Sequence, residues 1–269
     1  MRRSCGGARV EEVFEIANFE MPVTEYMSAP VETIRIGESL IAANVIFSGQ
    51  CVSALGVVDS EGVLKGVVSR TDILHAAVYT HGETFRVPDR PVEEIMQSPA
   101  LHVAPETALA DAAKTMLKKH VHRVFVTKDD KPLGVLSTRD LMRAVREKRI
   151  KTPISEIASR SVVKVKADDP IALAVDRLDL SNKHGLVVVE ADFPVGIFDQ
   201  ESAIEARRLP PNTAVEHAMD VRILILPGAI GLGRAAEQAL SMNVRRILIE
   251  NDLGVAAIVG GLDFARVMG

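Results

Sequence analysis

Apolar and polar positions along this chain repeat in the same order four times. In each copy, a short apolar strand precedes an alanine-rich amphipathic helix, and two more apolar strands follow, separated by an acidic turn in most copies. A second helix closes the copy. The pattern therefore predicts four units in the order strand, helix, strand, strand, helix. Because the strands are apolar over continuous runs, we expect sheets that are buried on both faces or packed on helices.

One such unit is too small to be stable alone. A repeat of about 60 residues has a small core, and pairing two repeats buries the exposed faces of their sheets. We therefore expect an α/β (α+β) fold with two pseudo-symmetric pairs, repeats one with two and three with four. The predicted boundaries are an N-terminal extension at 1–21 and repeats at 22–80, 91–150, 151–209 and 212–269.

The turn after the third strand carries the candidate chemistry. A carboxylate at a helix start is favoured by the helix dipole and can also hold two vicinal hydroxyls. Hydroxyls and main-chain N–H groups beside it suit a phosphate oxygen, so the turn indicates a nucleotide. The alternative is that these carboxylates only cap their helices. In every repeat a small residue stands six positions before the aspartate of this turn, which is a serine in repeat three. The pairs are Gly66 and Asp72, Gly134 and Asp140, Gly196 and Ser202, and Ala257 and Asp263.

Composition narrows the class of protein. A formal net charge of −4, two tyrosines and no tryptophan argue against a general nucleic-acid binder. Cys5 and Cys51 are too few for a disulfide framework or a structural zinc site. No apolar run is long enough to span a bilayer, and no signal peptide is visible. These features predict a cytoplasmic protein with no metal site.

The four units resemble the cystathionine-β-synthase-type (CBS) domain, in which two repeats pair into a Bateman module. The resemblance covers residues 22–268 and rests on the recurring turn together with the rest of the unit. The layout is similar to stand-alone archaeal and bacterial CBS proteins and to the gamma subunit of AMP-activated protein kinase. It implies a non-catalytic regulatory protein that binds AMP, ADP or ATP in clefts between paired repeats and requires no cofactor. The alternatives are an S-adenosyl ligand or a ligand-free scaffold.

The resemblance also assigns residues to these clefts. It implies that Asp72 and Asp140 hold ribose, and that a His-Arg pair before the second repeat's middle strand contacts the phosphate of the ligand on Asp72. The first-module set is Thr33, Ser69, Arg70, Thr71, Asp72, His122, Arg123, Ser137, Thr138, Arg139 and Asp140. The second-module set is Arg245, Arg246 and Asp263.

The third repeat departs from the motif. Ser202 replaces its aspartate, and Asp199 replaces the preceding hydroxyl, where a carboxylate would repel phosphate. We therefore expect at most one ordinary nucleotide site in the second module. A structural or docking role for this half is the alternative.

Two other segments have simpler explanations. Pro227–Ala236 imitates a glycine-rich dinucleotide turn, but the repeat register already accounts for it, and too little chain follows for a doubly wound domain. The basic run from Arg143 to Lys151 suits nucleic acid, an acidic partner or, as is more common, a solvated helix end. We further expect a homodimer and a protein partner that responds to the bound ligand.

Overall fold

Four three-stranded sheets, one in each repeat, form the framework of this computed structural model, which describes residues 18–50, 52–76, 87–181, 185–251 and 254–268. In each sheet the first strand is parallel to the second, and the second is antiparallel to the third. The strands are β1 (Thr33–Arg35), β2 (Ala54–Val58), β3 (Leu64–Ser69), β4 (His102–Val103), β5 (Arg123–Lys128), β6 (Lys131–Ser137), β7 (Lys164–Lys166), β8 (Gly185–Glu190), β9 (Phe193–Asp199), β10 (Leu224–Pro227), β11 (Arg246–Asn251) and β12 (Gly254–Gly260).

Helices complete each repeat in the predicted order. The fourth repeat differs, because its closing element, Gly261–Val267, is a 3₁₀ helix that begins beside the poor helix formers Gly260 and Gly261. Each repeat also opens with a short 3₁₀ turn. These turns are Val23–Glu25, Val92–Glu94, Ile154–Glu156 and Val215–His217. The α-helices are α1 (Leu40–Gln50), α2 (Arg70–Ala76), α3 (Leu109–Lys119), α4 (Thr138–Glu147), α5 (Ile171–Ser181), α6 (Gln200–Glu205) and α7 (Leu232–Ser241).

The opening turn of each repeat packs on its partner repeat. Ser28 of repeat one pairs with Val135 of repeat two, and Gln97 of repeat two pairs in return with Val67. Repeats three and four exchange their turns in the same way, through the pairs Ser159 with Ile258 and Asp220 with Ile197. The predicted pairing of repeats one with two and three with four is therefore confirmed.

The exchanged segments also cap the first helix of the partner repeat. The N–H of Leu109, at the start of α3, donates to the carbonyl of Met21 at 2.9 Å. The N–H of Leu40 donates in the same manner to Arg90 at 2.8 Å. The first N–H groups of a helix have no partner within it. Main-chain carbonyls of the partner therefore take over part of the role of side-chain caps, although Ser39 also accepts the N–H of Ala42 at 3.2 Å.

A glycine in the third strand makes room for this exchange. A Cβ atom on Gly134 would lie 2.6 Å from the Sδ of Met27 in the exchanged turn. Gly66 meets Met96 at the same 2.6 Å, and Gly196 meets Met219 at 2.5 Å. The fourth repeat has Ala257 in place of this glycine, and the turn of repeat three that packs on it has Ala158 in place of methionine. The volumes on the two sides of this contact therefore vary together between the repeats.

One buried cluster spans the two modules. It joins side chains of repeats two and four, among them Met116, Leu141 and Phe264, and it also includes Phe19. Helix α4 packs along α7 and against the closing 3₁₀ helix, and α2 packs against α6. Phe19 is only 2% exposed although it lies inside the predicted extension 1–21, most of which falls outside the described residues. The repeat boundaries themselves stay a prediction.

The glycines of Pro227–Ala236 serve the connection between the modules. A Cβ on Gly233 would lie 3.0 Å from both the Cα of Arg149 and the N of Ile150. The linker between the modules, residues 148–153, follows α4. The N–H groups of Leu232 and Gly233 donate to the linker carbonyls of Thr152 and Ile150, each at 2.9 Å. These N–H groups, which a dinucleotide phosphate would use, are thus already bonded, which supports the interpretation from repeat register.

Candidate ligand crevice between paired repeats

The motif turns of repeats one and two are capping boxes, in which a serine and an aspartate bond reciprocally at a helix start. The Oδ2 atom of Asp72 accepts hydrogen bonds from the N–H of Ser69 at 2.7 Å and from its hydroxyl at 2.6 Å. Asp140 accepts from Ser137 in the same way, at 2.8 and 2.7 Å. The capping alternative is therefore correct for one carboxylate oxygen, and only the other oxygen is left for a ligand.

The second oxygen distinguishes the two aspartates. Oδ1 of Asp140 lies 3.4 Å from the guanidinium of Arg143, and the Asp140 side chain is 7% exposed. Oδ1 of Asp72, in contrast, accepts from the amide of Gln97 at 3.5 Å and from no other side chain in the described part of the protein, and Asp72 is half-buried. Asp72 is thus the more accessible candidate for a ribose diol. The ribose role of Asp140 stays a prediction, and there Arg143 would compete with the sugar.

Arg123 opens β5 in the repeat that faces Asp72. Burial lowers the pKa of this guanidinium, and the positive charge of Arg245 lowers it further, whereas Asp72 raises it. The structure thus brings Arg123 close to Asp72 across the first pair of repeats and to Arg245 of the second module. Within the described residues, neither a hydrogen bond nor an ion pair joins the Arg123 side chain to another group. The crevice therefore contains a half-buried guanidinium that has no directly bonded counter-ion among these residues.

Three other predicted residues flank this position. His122 is exposed and directly precedes Arg123. Thr33 pairs with Gly56 in the parallel ladder of repeat one. A Cβ on that glycine would lie 3.5 Å from the Cγ2 of Thr33 and 3.2 Å from the ring of Phe125, so Thr33 lies near the junction of the two sheets. Thr71 is half-buried beside Asp72. Their ligand contacts stay predictions.

Three residues predicted to contact phosphate have other neighbours in this structure. The Arg70 guanidinium binds the Phe47 carbonyl at the end of α1, at 2.7 Å. Arg139 donates to the side-chain oxygen of Asn243 at 2.7 Å and so joins α4 to the second module. Thr138 is buried, and a Cβ on Gly261 would approach its hydroxyl to 2.6 Å. These three side chains therefore support α1 and the contact between the modules.

The arginines of the second module have internal counter-ions. The guanidinium of Arg246, which matches Arg123 in position, lies 3.6 Å from Asp199, and the two side chains are 19% and 15% exposed. Burial lowers the pKa of Arg246, and Asp199 opposes that shift. Arg245 forms an ion pair with Glu201. Sequence reasoning identified Asp199 as unfavourable for phosphate but missed that Asp199 and Glu201 neutralise both arginines.

The third repeat caps its helix in reverse. Asp199 stands at the N-cap of α6 and accepts the N–H of Ser202 at 3.1 Å. The carboxylate is thus three residues earlier than in repeats one and two, which turns it towards Arg246. Asp263 of repeat four keeps the usual position and accepts the N–H of Gly260 at 2.8 Å, while its other oxygen lies 3.3 Å from Arg266. Both features favour an internally neutralised second module.

Within the described ranges, no group of three or more histidine, cysteine, aspartate or glutamate side chains is arranged to hold a metal ion. Among the same residues, no helix has the length and apolar character required to cross a bilayer.

Comparison with known proteins identifies the class of protein that this fold and turn define. The CBS domain model matches residues 23–79, 92–147 and 154–209, so this chain belongs to the CBS domain family. Repeat four lies outside these matches but shares the strand order of the other three.

Solved structures and curated relatives agree with this assignment. Protein MJ1225 from Methanocaldococcus jannaschii superposes with a TM-score of 0.76 over 92% of this chain and all of its own, at 16% identity. An uncharacterized conserved protein from Pyrococcus horikoshii gives 0.68 over 93% of this chain and all of its own, at 23% identity. These two similarities concern the fold alone.

Two curated relatives cover parts of the chain. An uncharacterized 33.4 kDa protein from Thermofilum pendens is 28% identical over 187 residues, which are 63% of this chain and 58% of that protein. The 5'-AMP-activated protein kinase subunit gamma-3 of Sus scrofa is 31% identical over 115 residues, 39% of this chain and 21% of that subunit. The chain therefore spans less than two thirds of the length of either relative.

Proposed function

We propose that this chain is a non-catalytic regulatory protein that binds AMP, ADP or ATP in the crevice between repeats one and two. The observation that carries the proposal is Arg123. This half-buried cation has neither a hydrogen bond nor an ion pair within the described part of the chain, and it lies close to a second cation, Arg245. Burying an unpaired charge is costly, so an anionic ligand would offset that cost.

Each part of a nucleotide has a candidate partner. Asp72 would hold the ribose diol through Oδ1 while Oδ2 remains bonded to Ser69. His122 and Arg123 would take the first phosphate, and the guanidinium fork suits two phosphate oxygens at once. The further phosphates of ADP or ATP would reach Arg245 in exchange for its ion pair with Glu201, because the charge of Arg245 acts on Arg123. Similarity to a kinase subunit named for AMP supports the choice of an adenosine ligand.

The charge of the crevice distinguishes between the possible adenosine ligands. S-adenosylmethionine carries a positive sulfonium at the place where a nucleotide carries its first phosphate. Next to Arg123 this sulfonium would be repelled, whereas a phosphate would be attracted. The crevice therefore favours a nucleotide over S-adenosylmethionine.

Regulation would follow from the position of the ligand between repeats. A nucleotide on Asp72 and Arg123 contacts both members of the first pair, so it favours the relative arrangement of the two that it binds best. Helix α4 transmits that arrangement to the second module, because it packs along α7. A protein partner or a second copy of the chain would respond to the change.

Isothermal titration calorimetry tests the proposal. Wild type, Arg123→Gln and the matched control Arg177→Gln would each be titrated with AMP, ADP, ATP and S-adenosylmethionine. Arg177 is an equally charged residue of the third repeat, paired with Asp169 at 3.4 Å. We expect Arg123→Gln to lose about 1.5–3 kcal/mol of nucleotide binding, which is about 10- to 150-fold in affinity, with the control unchanged.

Each contrary result has a defined meaning. Absence of nucleotide binding by the wild type would leave the ligand-free scaffold as the better description. Tighter binding of S-adenosylmethionine than of AMP would replace the nucleotide by the alternative ligand. Equal losses in Arg123→Gln and Arg177→Gln would remove Arg123 from the phosphate role.

A further inference from the structure

A cavity of about 730 Å³ lies at the junction of the two modules. Its walls are the end of α4, the linker that follows and the start of α7. Four cations from these three segments line it, namely Arg146, Arg149, Lys151 and Arg234. None of the residues assigned to the nucleotide crevice lines this cavity. It is therefore a separate feature of the fold.

The cavity has a net positive charge of two. Its carboxylates are Glu147 and Glu237, against four cations. Glu147 is already engaged, because one oxygen accepts the hydroxyl of Tyr26 at 2.9 Å and the other lies 3.4 Å from Arg146. Within the described ranges, no hydrogen bond or ion pair joins the side chains of Arg149, Lys151 or Arg234 to another group. These three cations are thus available to a ligand.

We propose that this cavity binds a polyphosphate group. Guanidinium forks bind phosphate oxygens in pairs, and arginine keeps its charge at any physiological pH. The N–H groups at the start of α7 contribute nothing, because linker carbonyls already accept them. Recognition therefore depends on the cationic side chains. The cavity volume lies in the range of small-molecule sites. Two kinds of ligand carry a polyphosphate group of suitable size, namely inorganic polyphosphate and a nucleotide with its phosphate tail.

The consequence of occupancy is a bridge between modules. Arg146 belongs to the first module, Arg149 and Lys151 to the linker, and Arg234 to the second module. A bound anion would tie these three segments together and offset the repulsion between their cations. Binding would thus stabilise the arrangement in which α4 lies along α7.

Calorimetry with inorganic tripolyphosphate tests the site in the full-length chain. An Arg123→Gln background removes the contribution of the nucleotide crevice. In that background, we expect Arg149→Gln with Arg234→Gln to weaken tripolyphosphate binding at least about tenfold. Both side chains are exposed, so the fold should be retained. The control Lys118→Gln with Lys119→Gln removes the same charge at the exposed end of α3, and we expect about wild-type affinity.

The titrations also identify the source of the phosphate. Tighter binding of ATP than of tripolyphosphate in the Arg123→Gln background would assign the site to nucleotides, and the reverse order would assign it to inorganic polyphosphate. No tripolyphosphate binding in that background would overturn the proposal. Equal loss in the lysine control would also overturn it, because attraction would then be a property of the whole surface. Neither result bears on the crevice around Asp72.

Discussion

Arg123 and Arg246 are matched positions whose replacement by methionine should change stability in opposite directions. Each opens the middle strand of the second repeat of its module, opposite Ser137 and Gly260 respectively. Arg246 lies 3.6 Å from Asp199. Arg123 has no ion pair within the described residues and lies close to another arginine. Methionine preserves much of the apolar stem and removes only the charged group.

The expected magnitudes follow from these surroundings. Arg246→Met leaves the half-buried Asp199 without its counter-ion, and breaking a fully buried pair in this way costs about 3–5 kcal/mol. The separation of 3.6 Å and the 19% exposure of Arg246 place the expected loss near the lower end, at about 3 kcal/mol. Arg123→Met instead removes a desolvated charge beside Arg245, so the ligand-free protein should gain about 1 kcal/mol or stay unchanged.

Thermal and urea unfolding measure both effects. For a chain of this size, a loss of about 3 kcal/mol lowers Tm by roughly 6–12 °C. The same scans with ATP test the link to function, because a ligand that binds the folded state must raise its stability. ATP should raise the Tm of wild type and have less effect on Arg123→Met. If Arg123→Met destabilised the ligand-free chain as much as Arg246→Met, Arg123 would be a structural cation, and the main support for the nucleotide crevice would be lost.

Three further predictions concern the pH dependence, the exchanged turns and the linker. Burial, followed by the hydrogen bond to Glu147, raises the pKa of Tyr26 to about 12. The neutral phenol therefore stabilises the fold fully below its unfolded pKa of about 10, and this stabilisation is lost as pH rises to about 12. Tyr26→Phe should lack this slope when the free energy of unfolding is measured against pH. Gly134→Ala should cost about 1–3 kcal/mol of stability through overlap with Met27. Adding Met27→Ala should recover part of that loss in a double-mutant cycle, as the matching pair Ala257 and Ala158 suggests. Additive losses would contradict this. Gly233→Ala should lower stability by a similar amount through contact with the backbone of Arg149 and Ile150. The affinity for AMP, whose proposed site is the crevice around Asp72, should stay unchanged by calorimetry.

Local patterns allowed the architecture to be predicted. The spacing of Gly134 and Asp140 recurs in each repeat, and the capping boxes follow from serine and aspartate three residues apart. Continuous apolar runs then located the strands between them. The small size of one repeat supplied the reason for pairing. These inferences needed only neighbouring residues, so a single sequence was sufficient for them.

Contacts between distant segments could not be predicted in the same way. Asp140 is buried because α4 packs on the second module, and its free oxygen meets Arg143. Arg139 is used by Asn243, which is 104 positions away in the chain. The ion pair between Arg246 and Asp199 depends on the reversed cap of α6. In each case tertiary geometry decides between two roles that the residue type alone leaves open.

The exchanged opening turns have a consequence for how such a chain is made. The α1 helix of repeat one has its first N–H bonded to the carbonyl of Arg90, which the ribosome delivers only after β3 and α2. A nascent chain that ends at Ala76 would therefore lack the carbonyl that accepts the N–H of Leu40 and the Met96 side chain that packs on Gly66. A pair of consecutive repeats is thus the smallest unit that can be synthesised, duplicated or deleted with its exchanged hydrogen bonds and packing contacts complete.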